Sequence, residues 1–365
     1  MGEIALYRKY RPGGFDEVIG QEHIVQTLKN AIAHNRVGHA YLFVGPRGTG
    51  KTTIARILAK AVNCPKAAKN KGEPCNECEQ CLAVASGRTL DIIEIDAASN
   101  RGIDEIRELR EGVRLSPSQL KHKVYIIDEA HQLTKEAFNA LLKTLEEPPA
   151  HAIFILATTA ADKMPATILS RVQRFDFKKF SVAQIEEKLS AIMKKEKTSA
   201  DAGAMHLIAH AAEGGLRDAE SMLAQVLSHA EGKLTEKTVQ HVLGIAGFDR
   251  VSEFAALLAK KDLRAMLISL NTFHNEGGNA EEFLKSLAQY VRKMALVKID
   301  ATIREFVVPE LTDDQFSTML GHAQQFESAD LTRILGILIE AQENTKKTSL
   351  PLLPLELALM KIVEK

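Results

Sequence analysis

Gly45-Pro46-Arg47-Gly48-Thr49-Gly50-Lys51-Thr52 is the stretch on which the reading of this chain turns. An apolar run, Ala40-Tyr-Leu-Phe-Val44, leads into it, and Ile54 to Ala61 follows with apolar residues at helical spacing. Strand, glycine loop and helix form the setting in which G-x-x-x-x-G-K-[ST] holds phosphate. The glycines let backbone N–H groups point inward around the anion, with the positive end of the helix behind them. Lys51 is expected to reach the β- and γ-phosphates, and the Thr52 hydroxyl to ligate Mg²⁺. Gly45, Pro46, Arg47, Gly48, Thr49, Gly50 and Thr53 would complete the cradle. The alternative, a glycine-rich turn that binds nothing, leaves both flanks unexplained. A site for ATP and Mg²⁺ is expected.

The acids that such a site needs lie downstream. Lys123-Val-Tyr-Ile-Ile-Asp-Glu-Ala-His131 reads as a nearly continuous apolar strand, as in a parallel sheet buried on both faces, ending in two carboxylates. Open α/β sheets bind ligands at the C-terminal ends of their strands. Asp128 is expected to hold Mg²⁺ through water, and Glu129 to orient and polarise the attacking water. An Asp-Glu pair capping the next helix is the alternative. Leu90–Asp96, Ile153–Thr159 and Gln173–Phe177 read as further strands, 139–148 as the end of a helix stopped by Pro148-Pro149, and 165–172 as a short helix. Thr158 and Thr159 could sense a γ-phosphate or merely terminate a strand. These elements predict a twisted parallel sheet with helices on both faces.

Between the phosphate-loop helix and the next strand stand all four cysteines, as Cys64-x10-Cys75-x2-Cys78-x2-Cys81. Thiolates two residues apart bend round one ion, and four of them complete a closed tetrahedral Zn²⁺ site. A disulfide pair or free core thiols are the alternatives. Disulfides do not suit a cytosolic ATPase, and core thiols do not explain clustering in a polar loop. With no open position, the role is structural or partner-facing.

Lys plus Arg and Asp plus Glu both number 47, so the formal net charge is zero. Whole-chain electrostatics gives no nucleic-acid signal, and any DNA contact must come from a local patch or from assembly. The start of the chain has no signal-like apolar segment, and no apolar run approaches about 18 residues. A cytoplasmic protein with no membrane partner is expected. The 365 residues suggest two or three domains. Glu22–Asn35 reads as a helix. Tyr7-Arg-Lys-Tyr-Arg-Pro12 reads as a solvated basic surface or an arm over the base. From about Phe180 the strands stop, and 181–195, 202–213, 215–228 and 236–243 read as helices. Six more follow after Phe248, at 250–259, 263–275, 279–299, 312–327, 329–344 and 354–364. Expected domains are 1–179, with the cysteine module at 64–81, then 180–242 and 243–365.

Together these marks resemble the AAA+ ATPases, and among them the clamp-loader ATPases of bacterial DNA replication. The narrow ones are Tyr-Arg-Lys-Tyr-Arg-Pro at 7–12, Ile19-Gly-Gln-Glu-His23, the four-cysteine insertion, Leu-Leu-Lys-Thr-Leu-Glu-Glu-Pro-Pro at 141–149, and Ser170-Arg171. The resemblance implies a nucleotide domain, a small helical lid at 180–242 and a helical collar at 243–365. It implies that Arg171 is an arginine finger serving a neighbouring subunit's site, although the third residue of that motif is Val172 here instead of Cys. Taken alone, Arg171 would pass for a surface arginine. Arg217 matches the lid arginine that touches the γ-phosphate; a helix arginine paired with Asp218 is the alternative. Thr159 matches the strand-end sensor, with Thr158 as fallback. Tyr7, Arg11, Pro12, Val18 and Ile19 would cover adenine and ribose. The implied partners are other loader subunits in a hetero-pentameric ring with several copies of this chain, the sliding clamp, primer–template DNA and, through a loader partner, single-strand-binding protein. Arg101, Gly102 and Lys135 are candidate DNA contacts. The implied activity is ATP-driven clamp opening, with hydrolysis releasing the clamp on DNA to support processive synthesis by DNA polymerase III. Competing readings are another AAA+ DNA-remodelling ATPase, a non-hydrolysing loader subunit, which should have lost Lys51 or Asp128-Glu129, and a helicase, for which 243–365 shows no second strand-bearing domain.

Overall fold

In the computed structural model the described residues are 5–100, 102–229, 232–308, 311–345 and 347–364. They fall into two units, Met1–Ala224 and Gln225–Lys365. Unit 1 contains β1 (Ala40–Val44), β2 (Ile92–Asp96), β3 (Lys123–Asp128), β4 (Ala152–Thr158) and β5 (Gln173–Asp176), all parallel, in the order β2-β3-β4-β1-β5. Its helices are α1 (Leu6–Lys9), α2 (Glu22–Ala33), α3 (Lys51–Asn63), α4 (Glu79–Ser86), α5 (Ile103–Arg114), α6 (Lys135–Glu146), α7 (Ala166–Leu169), α8 (Val182–Lys195) and α9 (Ala202–Ala211). α10 (Leu216–Leu227) crosses the division between the units.

Side chains alternate along a strand, so a two-sided sheet needs apolar residues at every position of its central strands. Tyr41, Phe43, Val124, Ile126, Ile153 and Ile155 pack with Ile24, Leu28, Ile54 and Leu58 of α2 and α3. Their sequence neighbours Leu42, Tyr125, Ile127, Phe154 and Leu156 pack on the other face with Leu109, Phe138 and Leu141 of α5 and α6. The edge strands β2 and β5 are only partly buried.

The expected elements are present with trimmed ends. β2 begins at Ile92: Leu90 is 82% exposed, while the Asp91 carboxylate turns inward and accepts the backbone N–H groups of Ser118, Gln119 and Leu120 at 2.8–2.9 Å. α2 stops at Ala33, and Asn35 turns left-handed at φ 51. The one-turn α1 and the eight-residue α4 come from stretches without helical periodicity. α4 is capped instead by chemistry, its Cys78 sulfur accepting the Cys81 N–H.

Unit 2 is helical: α11 (Glu236–Leu243), α12 (Phe248–Ala259), α13 (Leu263–Asn275), α14 (Ala280–Ile299), α15 (Arg304–Val307), α16 (Asp313–Gln324), α17 (Ser328–Thr345) and α18 (Leu353–Glu364). Phe283, Leu287, Val291 and Met294 of α14 form one core with Phe254, Leu331, Ile334 and Leu338. Among the described residues no helix is long and apolar enough to cross a membrane.

Candidate nucleotide-binding site

The phosphate loop leaves β1 and re-enters the chain as α3. Gly48, at φ 76, approaches Gly215 so closely that a Cβ would lie 3.0 Å from the Gly215 Cα, a conformation and a fit that a side chain would disturb. The Gly48 carbonyl accepts the Leu216 N–H at 3.1 Å, which ties the loop to the start of α10. Lys51 is buried, its ammonium donating to the carbonyls of Gly45 (2.7 Å) and Pro46 (2.8 Å). Burial lowers its pKa, and Glu129 and Asp128 pull it back up. The loop borders a cavity of about 510 Å³.

The acids arrive from β3. Val44 and Thr158 are in register across β1 and β4, and Asp96 and Asp128 across β2 and β3, so these strand ends share one rim. Thr52 Oγ1 donates to Asp128 Oδ2 at 2.7 Å, bringing together the two side chains that a Mg²⁺–phosphate site requires. Glu129 sits left-handed, φ 46 and ψ 43, which costs a non-glycine residue on the order of 1 kcal/mol and is common where a side chain must be aimed. Its Oε2 accepts the Thr159 hydroxyl at 3.2 Å and lies 3.4 Å from His131 Nδ1. That same ring nitrogen is 2.9 Å from Thr158 Oγ1. Thr159 therefore reaches the acid directly and Thr158 through His131.

The rest of the cavity is walled by the segments before and after the sheet. Tyr7, Arg11, Pro12, Val18, Ile19, Arg47, Gly48, Thr49, Gly50, Lys51, Thr52, Thr53, Asp128, Glu129 and Arg217 all border it. Gly45 and Pro46 stand behind it as acceptors for Lys51. Gln21 pins the Val18–Ile19 side, its amide donating to the Lys178 carbonyl (2.7 Å) and accepting the Lys178 N–H (3.1 Å). The Arg217 guanidinium lies over the Tyr7 ring, 4.7 Å from its centroid. Phe180, Leu216 and Glu220 also border the cavity and were not foreseen. Glu220 is 6% exposed, and burial raises its pKa to about 7 against the pull of Lys188. An acid at an apolar-spaced position, 216-219-220-223, is the sequence signal that marks it.

Arg171 lies elsewhere: its guanidinium donates to the Thr167 carbonyl (2.8 Å) and pairs with Glu146 (2.8 Å). It does not border the cavity described above. Gly102 caps α5 and Lys135 opens α6, while Arg101 lies outside the described residues.

The four cysteine sulfurs lie within 4.8 Å of one another, and none is in a disulfide. Each turn points a backbone N–H at the preceding sulfur, Cys75 to Cys64, Cys78 to Cys75 and Cys81 to Cys78, all at 3.4 Å. Burial opposes ionisation of Cys75, but the N–H groups of Glu77 and Cys78 bring it down to about 6. This donor set fits a four-coordinate thiophilic ion.

Phosphate loop, strand-end acids, parallel sheet and helical appendage define an ATPase of the AAA+ class. Three family models divide the chain: "DNA polymerase III, delta subunit" over 20–181, "DNA polymerase III clamp loader subunit, ATPase lid domain" over 184–232, and "DNA polymerase III subunits gamma and tau domain III" over 234–365. The chain is 42% identical to the tau subunit of Bacillus subtilis DNA polymerase III over all of its own length and 64% of that protein. It is 39% identical to the gamma subunit of Buchnera aphidicola (strain Bp), covering 88% of this chain and 84% of that one. A solved Thermotoga maritima RuvB Holliday junction branch migration motor is 21% identical, TM-score 0.49, over 72% of this chain and 85% of that one. The chain belongs to the gamma/tau family of DNA polymerase III clamp-loader subunits, and it spans under two thirds of the Bacillus tau subunit.

Proposed function

We propose that this chain is an ATPase motor subunit of a replicative clamp loader, acting in the cytoplasm. Its partners would be other loader subunits in a five-membered ring, the sliding clamp, primer–template DNA and, through a loader partner, single-strand-binding protein. ATP binding opens the clamp, and hydrolysis on primed DNA releases it closed. The observation that carries the reading is the Thr52–Asp128 hydrogen bond beside a Glu129 anchored by Thr159.

Each residue then has one task. Lys51 and the loop N–H groups bind the β- and γ-phosphates; Thr52 and Asp128 hold Mg²⁺, which when bound neutralises charge on the phosphates. The Glu129 carboxylate accepts a proton from the attacking water, and Thr159 fixes its aim. Tyr7, Arg11, Pro12, Val18 and Ile19 enclose the base and ribose. Arg217 leaves the Tyr7 ring for the γ-phosphate, a contact that ADP cannot offer, so the lid distinguishes the two nucleotides. Arg171 supplies its charge to the neighbouring subunit's site, an effect worth about 10³–10⁵ in rate. Cys64, Cys75, Cys78 and Cys81 hold one structural Zn²⁺. Gly102 and Lys135 face DNA phosphates.

The test is steady-state ATPase of the chain assembled with its partner subunits, with and without clamp and primed DNA. Strong stimulation that is lost with Arg171→Ala is expected. Turnover indifferent to the clamp, or undiminished by the substitution, would overturn the reading.

A further inference from the structure

The cysteine loop and the N-terminal arm of the cavity meet at one buried cation. Lys60, only 7% exposed, lies on α3, the helix that opens with Lys51 of the phosphate loop. Its ammonium donates to the Gly13 carbonyl and, at 2.6 Å, to Asn76 Oδ1. Gly13 directly follows Arg11 and Pro12 of the cavity wall. Asn76 stands between Cys75 and Cys78, left-handed at φ 60.

Other contacts press the same loop onto the same arm. Lys29 of α2 pairs with Asp16 of the arm (2.5 Å) and Glu73 of the loop (3.3 Å). Gly72, at φ 87, sits so near α2 that a Cβ would come 2.3 Å from the Lys29 carbonyl oxygen, so the loop backbone fits there only as glycine. A buried ammonium is tolerated only with its acceptors in place, and withdrawing one leaves a desolvated charge with too few partners.

We propose that Lys60 is a positioning residue that couples the four-cysteine site to the nucleotide cavity. With the thiolates tied to a metal ion, Asn76 is fixed, Lys60 is satisfied, and Gly13 is held with Arg11 and Pro12 against the nucleotide. Without that tie the loop no longer presents Asn76, the arm loosens, and affinity falls. The inference rests on the nucleotide and metal readings above and adds a free-energy link between them. Such links are reciprocal: nucleotide must tighten metal binding by the factor by which metal tightens nucleotide.

The experiment uses the whole chain under reducing conditions, loaded with Zn²⁺ or stripped by chelator. A fluorescent ATP analogue measures nucleotide affinity, and chelator competition measures zinc affinity with and without ATP. Stripping should weaken nucleotide binding by about five- to tenfold, and ATP should strengthen zinc retention equally. Lys60→Met should remove the coupling. Should that variant fail to fold, Asn76→Gly keeps the left-handed backbone and deletes only the amide acceptor. Loaded Asn76→Gly should keep its zinc, bind nucleotide like stripped wild type, and show a coupling factor near one. Equal nucleotide affinity of loaded and stripped wild type, or coupling undiminished in Asn76→Gly, overturns the proposal. A loaded wild type that binds no nucleotide refutes the cavity reading, and a chain that takes up no zinc refutes the metal reading; either removes the proposal with it.

Discussion

Replacing Glu220 by Gln should stabilise unit 1 at alkaline pH and leave it unchanged in acid. The folded carboxyl titrates at about 7, raised from the ordinary 4.5 by burial on α10. Below the lower value both folded and unfolded chains carry the proton, and burial exacts no ionisation penalty. As pH rises the unfolded chain releases its proton first, so stability falls between about 4.5 and 7 and levels off above. At about 1.4 kcal/mol per pK unit that gap amounts to roughly 3 kcal/mol. Glutamine keeps the shape of the neutral acid and cannot ionise. Hydrogen exchange of the α10 amides, corrected for intrinsic rates, should therefore show Glu220→Gln more protected by up to roughly 3 kcal/mol at pH 8, and indistinguishable below about pH 4. Because Glu220 borders the cavity, the substitution should also weaken the pH dependence of nucleotide affinity across neutrality. A stability difference that does not vary with pH, or a glutamine variant weaker at pH 8, would refute the argument.

Glu129→Gln should lower turnover by about 10²–10⁴ while nucleotide affinity persists, separable by single-turnover hydrolysis and equilibrium binding; normal hydrolysis would remove Glu129 from the reaction. Asp91→Ala should destabilise unit 1 by about 3 kcal/mol or more, because three backbone N–H groups lose their acceptor, as followed by urea unfolding. Those N–H groups hold the Asp91 pKa below its usual value despite burial, so wild type should lose this contribution as pH falls below about 4 and the alanine variant should not. Elemental analysis should find about one zinc per chain, and chelation should expose four titratable thiols.

The sheet was legible because burial on two faces leaves no freedom of pattern: residues 124–127 of β3 and 152–157 of β4 had to be apolar and are. The phosphate loop, Asp128-Glu129 and the cysteines were legible because their chemistry requires fixed types at fixed local spacing. What periodicity could not supply was contact between distant segments. Nothing within residues 7–19 says that they wall a cavity with α10, and the strand order was not inferred from the motifs. Leu90 misled because an apolar residue beside a strand reads as part of it, whereas the neighbouring Asp91 was the residue turned inward.

Three of the residues that sequence reasoning missed have one property in common. Asp91, Glu220 and Lys60 are charged, and each is buried. In α10, Ala219 and Leu223 flank Glu220 on the inward face; in α3, Ala59 and Ala61 flank Lys60, and both are fully covered. A charge in such a place costs several kcal/mol unless the tertiary structure provides a partner or a reason for it to remain. Asp91 has three backbone donors and Lys60 two acceptors drawn from the arm and the cysteine loop, so both are explained by what they join. Glu220 borders the cavity and feels the opposing pull of Lys188, which does not offset its burial, so its carboxyl keeps a proton to about pH 7.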